Sequence, residues 1–231
     1  MNDELAKRLK QNVATFYETQ GAAFDRTRGF VWPEEQSIAE RIKPGMTVAD
    51  IGAGNGRFAR LLPDGAIYIG IEPSDSLRSG FPRKAKTVAA AFRILSGALP
   101  HLPLDDQTAD VTVCFAVFHH LPTVEDRRAA VDELVRVTKP GGMIAATAWY
   151  LNIDNPRLSP VHGGDAGDFW MSWKAEGADT KRYVHVFDEK EWLALWTDPR
   201  LAIEHIGLFG REGWTKDEQA ARNRMAVCRR V

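Results

Sequence analysis

Seven consecutive residues, Asp50-Ile51-Gly52-Ala53-Gly54-Asn55-Gly56, combine an acid with three glycines at alternate positions. They sit where a short apolar run, Thr47–Ile51, hands over to a segment with helical character, Arg57–Leu62. Glycines at such a handover let the chain turn sharply and bring bare backbone against a ligand. The spacing is G-x-G-x-G, which departs from the G-x-G-x-x-G of dinucleotide sites. An acid beside the loop would also repel a phosphate. Glu72 closes the next apolar run, Ile67–Ile71, 20 positions after Gly52. A carboxylate there can accept hydrogen bonds from the two ribose hydroxyls of an adenosine ligand. Together the loop and the acid fit a ligand that has a ribose and no pyrophosphate.

Positioning these groups requires a sheet. Leu5, Leu9, Val13 and Phe16 recur at helical spacing and predict an amphipathic helix over 3–20. Pro33 followed by Glu34 and Glu35 predicts a second helix to about Ile42. Strands are predicted at 47–51, 67–71, 92–95, 111–115 and 143–149. The clearest helix, 123–137, ends before Pro140-Gly141-Gly142. A helix at 188–196 and strands near 202–208 and 225–231 complete the pattern. Such alternation predicts an α/β fold with a mostly parallel, seven-stranded sheet and helices on both faces. Residues 151–181 are rich in Asn, Asp, Pro and Gly, so an insertion in a single domain is expected there.

Composition sets the outer limits. Of 231 residues, 30 are Lys or Arg and 31 are Asp or Glu, a balance unlike that of a nonspecific nucleic-acid coat. Local basic runs remain, Arg78 to Lys86 and Arg222 to Arg230. Two cysteines are too few for a disulfide framework or a zinc cage, so no metal site is expected. No apolar run approaches the roughly 20 residues of a membrane-spanning helix. The polar first residues contain no secretory signal. A cytoplasmic protein without membrane attachment is expected.

VADIGAGNGRFA, IYIGIEPS, FAVFHHL and TKPGG, taken in order over residues 46–149, resemble the class I S-adenosylmethionine-dependent methyltransferase superfamily. The resemblance implies a Rossmann-like domain spanning 1–231, with the helical segment 1–45 and the insertion 151–181 shaping the acceptor site. It implies S-adenosyl-L-methionine as cofactor, held by Asp50, Gly52, Ala53, Gly54, Asn55, Gly56, Glu72, Pro73 and Ser74. Gly97, Ala98, Leu99, Phe115 and Ala116 would complete the cofactor site. Many relatives place an acid after the third strand to read the adenine amino group. Here that stretch is Ser96-Gly97-Ala98-Leu99, so backbone or another side chain must serve.

A narrower resemblance runs through FDRTRGFVWP, HHLPTVEDRRAAVDELVRVTKPGG, Trp149, Asp168 to Trp173, and RYVHVF. In that order they are similar to the tRNA wobble-uridine carboxymethyl methyltransferases. This implies that the chain esterifies a carboxymethyl group on uridine 34 of tRNA. An ionised carboxylate needs no general base, only a cation to orient it, and a guanidinium fork suits that. Arg28 and Arg182 occupy the matching positions, with Arg26 a weaker candidate. His119, next to His120 after the fourth strand, could act as a base on a hydroxyl or amine acceptor. Trp32, Trp149, Tyr183 and His185 are candidate acceptor contacts, the tryptophans by stacking a base. The same resemblance makes a small zinc-binding activator subunit a possible partner. A small-molecule O- or N-methyltransferase is the alternative, and a non-catalytic cofactor-binding regulator of a partner enzyme is a third reading.

Overall fold

A computed structural model describes residues 1–26, 30–81, 91–175 and 178–231. Helix α1 (Asp3–Arg26) is followed by α2 (Pro33–Ala39), β1 (Thr47–Ile51), β2 (Ile67–Ile71) and the short α3 (Asp75–Arg78). Then come β3 (Ala91–Leu95), β4 (Ala109–Cys114), α4 (Val124–Val137) and β5 (Thr138–Trp149). Three strands, β6 (Leu158–Pro160), β7 (Asp168–Ala175) and β8 (Ala178–His185), precede α5 (Glu189–Trp196). The chain closes with β9 (Leu201–Gly210), β10 (Gly213–Thr215) and β11 (Ala221–Arg230).

Eight strands form the main sheet in the order β10-β9-β11-β5-β4-β1-β2-β3. Strands β1 to β5 pair in parallel, while β11, β9 and β10 are antiparallel to their neighbours. The expected seven strands are all present, and β10 is an added edge strand. Strand β1 is buried on both faces, as a central parallel strand must be. Its alternation sends Ala49 and Ile51 to one core, with Leu134, Trp192 and Trp196. Val48 faces the other, with Ile38, Tyr68, Phe81 and Met225. The chain departs from β1 toward β2 on one side, and β4 lies on the other. The carboxyl ends of β1 and β4 therefore flank the switch in strand order, where open α/β sheets bind ligands.

Four local expectations change. The stretch after the glycine loop is a 3-10 turn, Phe58–Leu61. Strand β5 begins at Thr138, its pairing with β4 interrupted by an irregularity between Ala109 and Val111. The segment 151–181 holds a three-stranded antiparallel sheet, β6-β7-β8, where an irregular insertion was expected. Helix α1 also runs to Arg26, longer than its apolar stripe implied, and packs against α3 and β8. Among the described residues no helix is long and apolar enough to cross a membrane.

Candidate cofactor cleft and acceptor groove

Gly52, Gly54 and Gly56 have φ of +71°, +56° and +72°, the left-handed region that side chains other than glycine's adopt at a cost. Two of them are also too crowded for a Cβ. One on Gly52 would lie 2.4 Å from Val117 Cγ2, and one on Gly56 would lie 2.4 Å from the Phe81 ring. At Gly54 the nearest atom to a Cβ would be the Gly52 carbonyl oxygen, 3.9 Å away. That glycine is where the loop leaves space for a ligand.

Glu72 fixes the loop from the next strand. Its two carboxylate oxygens accept the N–H groups of Gly54 and Ser74, each at 2.9 Å. Burial raises its pKa above the usual carboxylate range, and the two N–H donors oppose that rise. Asp50 is also buried; its pKa is pushed up to about 7, chiefly by desolvation, while Tyr68 Oη donates to it at 2.5 Å. Ser74 caps α3 by accepting from Leu77 N, and its hydroxyl donates to Glu18 on α1. Ala116, after β4, holds φ of +57°, its N–H bound to Thr147 Oγ1 at 2.9 Å. A non-glycine residue in that conformation marks a loop held by its surroundings.

These groups line a cleft of about 740 Å³. Asp50, Gly52, Ala53, Gly54, Asn55, Glu72, Pro73, Ser74, Gly97, Ala98, Leu99, Phe115 and Ala116 all border it; Gly56 packs instead beneath the loop, facing Phe81. Nothing in the sequence pattern pointed to the opposite wall, which α1 supplies through Tyr17 and Glu18. A carboxylate bonded to an unobstructed glycine, within mostly apolar walls, fits an adenosine-bearing sulfonium. The acids Glu35, Asp50 and Glu72 face the cleft, which suits a cation and disfavours a phosphate.

A second, wider groove of about 1360 Å³ shares Trp32 and Trp149 with the cleft. Arg182 borders this groove and is 2% exposed. Its guanidinium lies 4.6 Å from both the Phe16 and Trp149 ring centroids. Four further arginines, Arg157, Arg211, Arg222 and Arg224, line it with Asn223. Arg57 covers the Trp32 ring at 4.2 Å and is held by Glu35 at 2.6 Å. His119 stacks on Trp149, centroids 4.3 Å apart and planes 24° apart. The tryptophans are thus packed by cations and imidazole, rather than standing as bare platforms.

The histidines differ from their expected role. His119 is fully buried, borders neither space, and accepts the Trp149 N–H at Nδ1, 3.3 Å. His120 borders the cleft; its Nδ1 donates to the Tyr183 carbonyl at 2.9 Å. Because a carbonyl can only accept, Nε2 is the acceptor, and Tyr17 Oη donates to it at 2.8 Å. Burial holds the His119 pKa well below the ordinary imidazole value and lowers that of His120 to about 3. Both are neutral at pH 7. Tyr183 and His185 lie under the small sheet, not on the cleft wall. Tyr183 Oη and His185 Nδ1 meet Asp168 Oδ1 at 2.6 and 2.8 Å, and His185 Nε2 meets Glu191 at 2.8 Å. Arg127 closes this chain on Glu191 at 3.1 Å. Arg28 lies outside the described residues.

Residues 49–146 match the family described as a methyltransferase domain. A tRNA (carboxymethyluridine(34)-5-O)-methyltransferase of Arabidopsis thaliana is 33% identical over 140 residues, covering 61% of this chain. The chain spans about a third of that relative's length, 33%. A solved SAM-dependent methyltransferase of Methanosarcina mazei superposes with a TM-score of 0.68 at 19% identity, covering 87% of this chain and 98% of that one. A Haloferax volcanii methyltransferase solved with the Trm112 methyltransferase activator superposes with a TM-score of 0.67 at 16% identity, covering 94% of this chain and 97% of its own.

Proposed function

We propose that the chain is an S-adenosylmethionine-dependent methyltransferase, that it methylates a carboxylate, and that this carboxylate is the carboxymethyl group of a tRNA wobble uridine; the methyltransferase-domain match over 49–146 and the likeness to the Arabidopsis enzyme support this reading. The observation that carries this reading is Arg182, a guanidinium fixed against Phe16 and Trp149 where the groove meets the tryptophans it shares with the cleft. Aromatic faces set the plane of a guanidinium, and a planar fork matches a carboxylate.

The cofactor supplies an electrophilic methyl group when bound. The chain's residues have to hold and orient the two reactants and keep water out. Asp50, the glycine loop, Glu72 and Ser74 hold the cofactor in this reading, with Gly97, Ala98, Leu99, Phe115 and Ala116 along its other side. Arg182 orients the acceptor oxygen, and Arg28 is a second cation by its place in the resembling segment. Trp32 and Trp149 wall the passage between the two spaces.

A carboxylate acceptor also suits the histidines. It arrives ionised, so no proton need be removed. His120 Nε2 is already engaged by Tyr17, and neither imidazole has the basicity to deprotonate a hydroxyl. His119 acts in this reading by stacking on Trp149 and accepting its N–H. The near-neutral net charge of −1 is the one observation that favours a small-molecule acceptor instead. The activator-bound likeness of the Haloferax protein makes a small activator subunit part of the proposal.

Incubation with labelled cofactor and tRNA lacking the ester, followed by alkali, tests the proposal. Release of labelled volatile methanol supports a methyl ester on tRNA. Label that resists alkali, or none on tRNA, refutes it.

A further inference from the structure

Asn223 stands opposite Trp149 in the antiparallel pairing of β11 with β5. Residues paired in this way share a face of the sheet, with Cβ atoms about 5 Å apart. The amide therefore lies beside the indole that borders both the cleft and the groove, and Asn223 itself borders the groove. It is 3% exposed. Its Nδ2 donates to Glu34 Oε1 at 2.5 Å, and among the described residues its Oδ1 has no hydrogen-bond partner. A buried amide oxygen left without a partner destabilises the fold. A ligand that satisfies such a group is one reason for its being kept.

Glu34 settles which end of the amide faces which way. It sits in the first turn of α2 and is 2% exposed; burial raises its pKa to about 7, and above that pH its carboxylate is ionised and can only accept. Rotating the amide would set Oδ1 against that carboxylate, so Oδ1 stays directed away from it. Asn223, at the border of the groove, thus holds an oriented acceptor–donor pair just beneath its surface: the buried, unpartnered Oδ1, and the second N–H of Nδ2.

We propose that Asn223, oriented by Glu34, reads the Watson–Crick edge of the acceptor base and selects uracil over cytosine. The inference rests on the carboxymethyl-pyrimidine reading of the groove. Uracil presents an N3–H donor beside an O4 acceptor, which pair with Oδ1 and Nδ2 respectively. Cytosine reverses both, with an N3 acceptor beside an N4 donor. A free amide would simply rotate to match. Here Glu34 blocks rotation, while Arg182 holds the substituent on the adjacent C5, so the base cannot slide to compensate. Wrong pairing at one base edge is worth roughly tenfold to hundredfold in affinity.

The test uses the full chain saturated with S-adenosylhomocysteine, at pH 8, one unit above the value of about 7 that burial gives Glu34. Binding of 5-carboxymethyluridine and 5-carboxymethylcytidine monophosphates is followed by calorimetry. The wild type is expected to favour the uridine compound at least tenfold. Asn223→Ala should abolish the preference. Glu34→Gln, which keeps volume and lets the amide turn, should shrink it severalfold with S-adenosylhomocysteine affinity unchanged. Equal wild-type affinities, binding of neither compound, or a full preference in Asn223→Ala overturns the inference. Ester formation on the uridine compound is scored separately. A binding preference without ester refutes the reaction and keeps the base reading, whereas ester without preference does the reverse.

Discussion

Replacing Glu72 with Gln separates what this side chain does for the ligand from what it does for the fold. Both of its oxygens accept a backbone N–H, from Gly54 and from Ser74. A glutamine must set its NH2 against one of those donors, so one hydrogen bond becomes a repulsion. The lone pairs that remain on the carboxylate are those proposed to take the ribose hydroxyls. Hydrogen bonds to a charged group are worth about 1.5–3 kcal/mol each. Loss of one such bond to the ribose, together with displacement of the loop, predicts about a hundredfold weaker binding of S-adenosylmethionine. Stability should fall less than binding, because the lost N–H partner is partly offset by the desolvation a neutral amide avoids. Burial raises the Glu72 pKa, so its ionised form is paid for in desolvation, which the neutral amide avoids. Calorimetric titration and thermal unfolding of the same preparations measure both. The wild type should also lose cofactor affinity as pH falls through the raised Glu72 pKa, while Glu72→Gln should keep only the pH dependence that Asp50, with its pKa of about 7, contributes. An affinity within threefold of the wild type would refute the role given to Glu72.

Gly56→Ala would force a Cβ to 2.4 Å from the Phe81 ring at φ +72°, so it should lower stability by about 2–4 kcal/mol in denaturant unfolding. Gly54→Arg, whose Cβ meets open space, should leave a folded protein that no longer binds the cofactor in a calorimeter. Arg182→Lys keeps the charge and loses the planar fork; kcat/KM should fall about tenfold or more with cofactor affinity intact. The His185 pair with Asp168 gives a pH signature. The His185 pKa is raised, so its contribution is complete below about 6.5 and is lost as pH rises through the folded value. The Asp168 pKa is lowered, so its contribution is present above about 3.8 and is lost as pH falls through the folded value. The stability gap between wild type and His185→Asn should therefore be widest between those limits and close toward pH 9; a pH-independent gap would contradict the network.

The parts of the site that were legible in the sequence are the local ones. Three alternate glycines after an apolar run require a turn wherever they occur, and Glu72 announced itself by closing the following strand. Tyr17 and Glu18 looked like the polar side of an amphipathic helix, because only the packing of α1 against α3 brings them to the cleft. Asn223 was hidden for the same reason: its partner Trp149 is 74 positions away in sequence and adjacent only across the sheet. Gly, Asp and Asn on either side obscure the strands β7 and β8 in the sequence, where Tyr183 and His185 have the residue types of acceptor contacts. Their polar atoms point instead to Asp168 and Glu191. A histidine's type shows that it can titrate; its tautomer and pKa depend on burial and on partners such as the Tyr183 carbonyl.

The central claim is that the acceptor is the carboxymethyl group of a wobble uridine. Its most direct test is nucleoside mass spectrometry of tRNA bearing 5-carboxymethyluridine, after incubation with this chain and S-adenosylmethionine. The free acid should be lost and its methyl ester gained in equal amount, and Gly54→Arg should abolish both changes. Unchanged 5-carboxymethyluridine, under conditions where the chain and any activator it needs are present and the cofactor binds, would contradict the claim.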